Sequence, residues 1–103
     1  MQVQYEKGET KCKIFLKGEL DESTSNYFRN SIDEILSEIK EFSVVEYDLS
    51  DLSFMDSTGI GVLIGRYKIF TNKKIGFEIS NPNSTIDRIL KMTGIYQLMP
   101  KVS

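Results

Sequence analysis

Ser57 is the residue with the most chemistry to offer. It stands in Asp56-Ser57-Thr58-Gly59-Ile60-Gly61, where a run begins in which Ile60, Leu63, Ile64 and Tyr67 recur at helical spacing. A serine at a helix start has two uses. Its hydroxyl can cap a free amide, which is worth about 1 kcal/mol. It can instead accept a phosphoryl group, whose charge of about −1.5 to −2 would meet the positive end of the helix dipole and unpaired N–H groups. Asp56 and Thr58 flank the serine and can cap equally well, so three candidates for one cap leave a hydroxyl to spare. A phosphate there would leave the helix folded and change the surface. That suits a switch acting on binding.

Other chemistries fail on residue type or spacing. The chain has no histidine, which removes Ser-His-Asp and Cys-His catalysis and most zinc and copper sites. A nucleophile elbow needs Gly-x-Ser-x-Gly, and Met55 occupies its first position. Gly59, Gly61 and Gly65 miss the dinucleotide spacing by one residue, and no Gly-Lys-Ser/Thr exists. The one cysteine, Cys12, excludes an internal disulfide and a four-cysteine zinc site. Asp48, Asp51 and Asp56 match no metal-binding loop and read as solvated loop residues and caps. A catalytic residue, a metal and a cofactor are therefore not expected.

The three glycines lie inside a helical pattern, where each costs about 1 kcal/mol relative to alanine. Packing of the helix on a sheet is one account of Gly65. For Gly59 and Gly61, at the helix start, the expectation is close approach by another macromolecule to a flattened surface around Ser57 and Thr58. Met55 would serve as its apolar anchor.

The elements that must position this segment fit one domain, 1–103, at about 100–200 residues per domain. The net charge of −2 argues against direct nucleic-acid binding. A chain that is 40% apolar and 11% aromatic is not a disordered acidic tail. The apolar runs are far below the ~20 residues of a bilayer span. Met1–Thr10 is unlike a signal peptide, and the lone thiol suits a reducing compartment, so a cytoplasmic protein without membrane contact is expected.

Met1 to Glu6 reads as a short strand, and Lys11 to Lys17 as a second, with Cys12, Ile14 and Leu16 on one parity. Phe28, Ile32, Ile35, Leu36 and Ile39 form a helical stripe, preceded by Ser23 or Thr24 as caps. Val44–Leu49 is a third strand and 50–56 a loop. The Ser57 helix follows, then a strand over Ile75–Ile79. A helix then opens at Asn81-Pro82-Asn83-Ser84 and closes at Gly94, and Tyr96–Met99 is a last short strand. The order β-β-α-β-α-β-α-β implies an α/β domain with a mostly parallel sheet, an antiparallel first strand and helices packed on the sheet. Loops at the carboxyl ends of parallel strands are where such folds place function, and Ser57 falls at one.

The segment Asp51–Lys68, with its Met55-Asp56-Ser57-Thr58-Gly59 core and its Gly65-Arg66-Tyr67-Lys68 ending, resembles the signature of bacterial anti-sigma factor antagonists, the STAS-domain family. The sporulation branch is the nearest and the general-stress branch next. Gly18-Glu19-Leu20-Asp21 is similar to the family's second short motif. The resemblance runs over essentially the whole chain in element order, and so implies a single STAS-like domain. It implies a non-enzymatic regulator whose partner is an anti-sigma factor that is also a serine kinase using Mg-ATP. The unphosphorylated antagonist would bind that kinase and free the sigma factor, phosphorylation of Ser57 would end the binding, and a PP2C-type phosphatase would reset it. Asp21 would contact the kinase, Asp56 would shape the loop and belong to the partner-binding set, and Thr58, Gly59 and Gly61 would form the contact surface with Met55. The alternative is a STAS-like accessory module for a small ligand or lipid in transport, with an apolar pocket and no phosphoserine.

Overall fold

The computed structural model describes residues 1–41 and 43–103. Its elements are β1 (Gln2–Lys7), β2 (Lys11–Leu20), α1 (Ser25–Leu36), β3 (Val44–Met55), α2 (Ser57–Thr71), β4 (Gly76–Ser80) and α3 (Ser84–Thr93), then a 3-10 turn at Ile95–Gln97. The strands are ordered β1-β2-β3-β4. β1 runs antiparallel to β2, and β2, β3 and β4 are mutually parallel. This is the expected α/β class, with the short β1–β2 turn making an antiparallel pair.

Strand alternation turns Cys12, Ile14, Leu16, Val45, Tyr47, Leu49, Phe77 and Ile79 to one buried face. α1 brings Phe28, Ile32 and Leu36 into the same core, at i, i+4 and i+8, and α2 brings Ile60, Leu63 and Phe70. The Phe28 and Tyr47 rings, and the Tyr67 and Phe77 rings, have centroids 6.0 Å apart. Arg66 of α2 donates from Nη1 to both carboxylate oxygens of Asp33 on α1, at 2.7 and 2.8 Å, and ties the two helices together.

The opposite face of the sheet is polar. Lys11 Nζ lies 2.7 Å from Glu46 Oε1 and 3.2 Å from Glu78 Oε1, and Ser80 Oγ donates to Glu46 Oε2 at 2.7 Å. Burial pushes the Glu46 pKa up, but the hydrogen bonds from Lys11 and Ser80 outweigh it and hold the carboxyl below its ordinary range.

Two expectations about element ends are corrected. The stretch 50–56 is not a loop through most of its length, because β3 runs on to Met55, paired with β2 up to Leu20. The burial along Leu49, Leu52 and Met55 has a period of three, matching neither a strand's two nor a helix's 3.6. Two register shifts produce it: Phe15 faces Asp48 while Lys17 faces Asp51, and Gly18 faces Leu52 while Glu19 faces Phe54. In each case β3 carries one residue more than β2, as in a β-bulge.

The last strand is also not at Tyr96–Met99. Gly94 takes a left-handed φ of 75° and leads into the 3-10 turn, which buries Ile95; Met99, just beyond the turn, is also buried. Tyr96 OH donates to Asp87 Oδ1 of α3 at 2.6 Å. Pairing with β4 comes only after Pro100, through a parallel bridge between Ile79 and Lys101. Two hydrogen bonds support it, Ile79 N to Pro100 O at 2.9 Å and Val102 N to Ile79 O at 2.8 Å.

Candidate functional site

Asp56 is the N-cap of α2: its backbone is extended, and Oδ1 accepts from Gly59 N at 3.0 Å. Ser57 is therefore the first helical residue. Its side chain is exposed, and among the described residues its hydroxyl has no hydrogen-bond partner. The N–H groups of Ser57 and Thr58 lie in the first turn, where no intrahelical acceptor exists. The surplus hydroxyl expected from three candidate caps thus belongs to Ser57. Thr58 is exposed beside it.

β2 ends at the same edge of the sheet. Leu20 pairs with Met55, and its carbonyl accepts from Asp56 N at 3.4 Å. Asp21, the next residue, therefore stands close to the start of α2. Its Oδ1 accepts from Ser23 Oγ at 2.8 Å, from Ser23 N at 2.9 Å and from Thr24 N at 3.1 Å. The Ser23 hydroxyl bond first, opposed by partial burial and reinforced by the two N–H groups, holds its pKa below the ordinary aspartate value. Asp21 is thus an ionised carboxylate whose Oδ1 orders the turn into α1. Thr24 occupies the α1 N-cap position but makes no side-chain cap; its Oγ1 donates to Glu19 O at 2.8 Å.

Two expected contact residues are turned inward. Met55 is 2% exposed and belongs to the core, so it is no surface anchor. Gly59 is buried, and a Cβ there would stand 2.5 Å from Leu20 O and 2.9 Å from Met55 Cγ. Packing of α2 on the end of β2, not the approach of a partner, accounts for Gly59. Gly61 is exposed, and among the described residues nothing lies within 4 Å of a Cβ added at Gly61 or Gly65. Sheet packing therefore does not account for Gly65. Ser57, Gly61 and Gly65, four residues apart, leave one face of α2 without bulk. Gly65→Ala is expected to raise the unfolding free energy by about 0.5–1 kcal/mol, since the helix gains propensity and meets no clash. The urea midpoint measures this, and a fall would show that the backbone there needs glycine.

Phe54 was not singled out by sequence pattern, yet it is 47% exposed beside buried Met55. The signal was present in the period-three spacing of Leu49, Leu52 and Met55, which places 50–51 and 53–54 outside.

A groove of about 300 Å³ lies between β1 and α1, lined by Val3, Tyr5, Lys7, Ser31, Glu34, Ile35 and Glu38. It is charged and lies away from Ser57. Among the described residues no helix is long and apolar enough to cross a membrane.

Comparison with known proteins identifies the family. The STAS domain model matches residues 2–103. An anti-sigma F factor antagonist of Paenibacillus polymyxa is 33% identical over 100 residues, covering 97% of this chain and 85% of that protein. The anti-sigma factor antagonist SpoIIAA in its unphosphorylated form superposes with a TM-score of 0.75 at 23% identity, covering 99% of this chain and 89% of the other. The phosphorylated form of the Bacillus cell fate determinant SpoIIAA gives 0.66 at 24% identity, with coverage of 99% and 92%. The chain therefore belongs to the STAS-domain family, among proteins named as anti-sigma factor antagonists.

Proposed function

We propose that this protein is a phosphorylation-switched antagonist of an anti-sigma factor that is itself a serine kinase. The unphosphorylated protein binds the kinase and frees the sigma factor. The kinase uses Mg-ATP to phosphorylate Ser57 and so ends the binding, and a PP2C-type phosphatase restores it. The chain supplies no catalytic group. The observation that carries the reading is the Ser57 hydroxyl, exposed and without a hydrogen-bond partner among the described residues, at the first position of α2 while Asp56 does the capping. A phosphate there has the Ser57 and Thr58 N–H groups and the helix dipole beside it, so the helix tolerates it. The SpoIIAA comparison supports the reading, because that antagonist is known in unphosphorylated and phosphorylated forms. Asp21, Thr58 and Gly61 form the partner surface with Ser57, and the lowered pKa of Asp21 keeps it charged toward a basic partner group.

The experiment is phosphorylation with Mg-ATP and the anti-sigma kinase of the same bacterium, read by mass. Wild type should gain about 80 Da, the mass of one phosphoryl group replacing a proton. Ser57→Ala should gain nothing, with its urea midpoint preserved because Asp56 keeps the cap. A gain that persists in Ser57→Ala and maps to Thr58 would sink the assignment.

A further inference from the structure

We infer that Phe54 is the apolar anchor of the partner surface, held outside by the second bulge of β3. The inference rests on the function proposed above. Regular alternation after buried Leu52 would turn Phe54 inward and Met55 outward. The extra residue between the Gly18–Leu52 and Glu19–Phe54 pairs inverts that order. Met55 enters the core at 2% exposure, and the larger aromatic stands 47% exposed.

The bulge is braced on both sides. Ser53 Oγ donates to Gly18 O at 3.0 Å, and Asn83 Nδ2 donates to Leu52 O at 3.3 Å. Gly18 itself has a φ of 107°, a conformation other residues rarely adopt. The fold thus forgoes burial of a phenyl ring and fixes it three residues before Ser57, within about 10 Å along the chain. Bulges that re-aim side chains recur beside functional sites.

The surroundings name the occupant. Glu19 faces Phe54 across the strand pair and is exposed, as are Asp51 and its partner Lys17 further back; Glu22 is exposed after the ionised Asp21, so this end of β2 and β3 is acidic on balance. An aromatic centre in an acidic rim fits an apolar pocket ringed by basic residues on the anti-sigma factor.

The test measures affinity of the unmodified protein for the serine-kinase anti-sigma factor by calorimetry. Phe54→Thr keeps a β-branched residue suited to a strand, and its thermal midpoint is checked against wild type. Its affinity should fall by about thirtyfold or more, as for an interface hot spot. Phe54→Leu, which keeps an apolar side chain and covers any loss of fold in the threonine variant, should stay within about fivefold of wild type. The loss at Phe54→Thr should persist at about 0.5 M salt, where rim charges are screened. If Phe54→Thr or Phe54→Gln is folded and binds within about threefold of wild type while Ser57→Asp does not bind, the anchor is overturned and the phosphoswitch stands. If wild type does not bind the kinase at all, the proposed function falls, and the anchor with it.

Discussion

Ser57→Asp is expected to fold at least as well as wild type and to fail completely at displacing a sigma factor from the kinase. Stability is protected for two reasons. The cap is made by Asp56, whose Oδ1 bond to Gly59 N does not involve residue 57. Negative charge in the first helical turn is favourable by about 0.3–1 kcal/mol. Binding is a different matter. The face of α2 that carries Ser57 also carries Gly61 and Gly65, where an added Cβ meets open space. A partner seated on so flat a face leaves no water around a carboxylate. An unpaired buried charge costs several kcal/mol, hence on the order of a hundredfold or more in Kd. The aspartate carries about one charge against the −1.5 to −2 of phosphate, so the variant tests charge at the interface and not full mimicry. Calorimetric titration with the kinase, beside a thermal melt, reads both halves. An unfolded variant would mean that the switch acts through the helix. A folded variant that still binds tightly would place Ser57 outside the interface.

Gly59→Ala should be the most damaging small substitution in α2. The new Cβ would stand 2.5 Å from the Leu20 carbonyl oxygen, 2.9 Å from Met55 Cγ and 3.1 Å from Leu20 Cγ. The first obstacle is backbone, and the same carbonyl accepts from Asp56 N, so relief requires moving the end of β2 or the start of α2. Overpacking of this kind costs about 1–3 kcal/mol, and a backbone obstacle puts it at the upper end. The alanine recovers about 1 kcal/mol of helix propensity. A net loss of roughly 2 kcal/mol is expected from these terms, read as a lower urea midpoint. Gly65→Ala, in the same helix with nothing nearby, should move the midpoint the other way. Opposite signs in one helix distinguish a glycine required by packing from a glycine that leaves a face bare. A Gly59→Ala protein as stable as wild type would show that the contact with β2 is loose.

Much of this molecule was legible in residue order. The parity of Cys12, Ile14 and Leu16 and the spacing of Phe28, Ile32 and Leu36 each depend on one local period, and each reappears as a buried face. Alternating elements with short connections left the parallel sheet and its antiparallel first strand as the natural topology. The competition among Asp56, Ser57 and Thr58 for one cap was also local, since capping is decided within a turn. Tertiary structure decided the rest. Whether Gly59 faces a partner or the protein depends on where the end of β2 lies, and β2 is some forty residues earlier in the chain. Whether Tyr96–Met99 extends as a strand depends on Asp87 and the left-handed turn at Gly94, which draw it into a 3-10 turn. The choice between Met55 and Phe54 at the surface turns on one extra residue in β3 opposite β2. Strand periodicity reads a single chain, whereas a bulge is a mismatch between two, so only the paired sheet determines which side chain faces out.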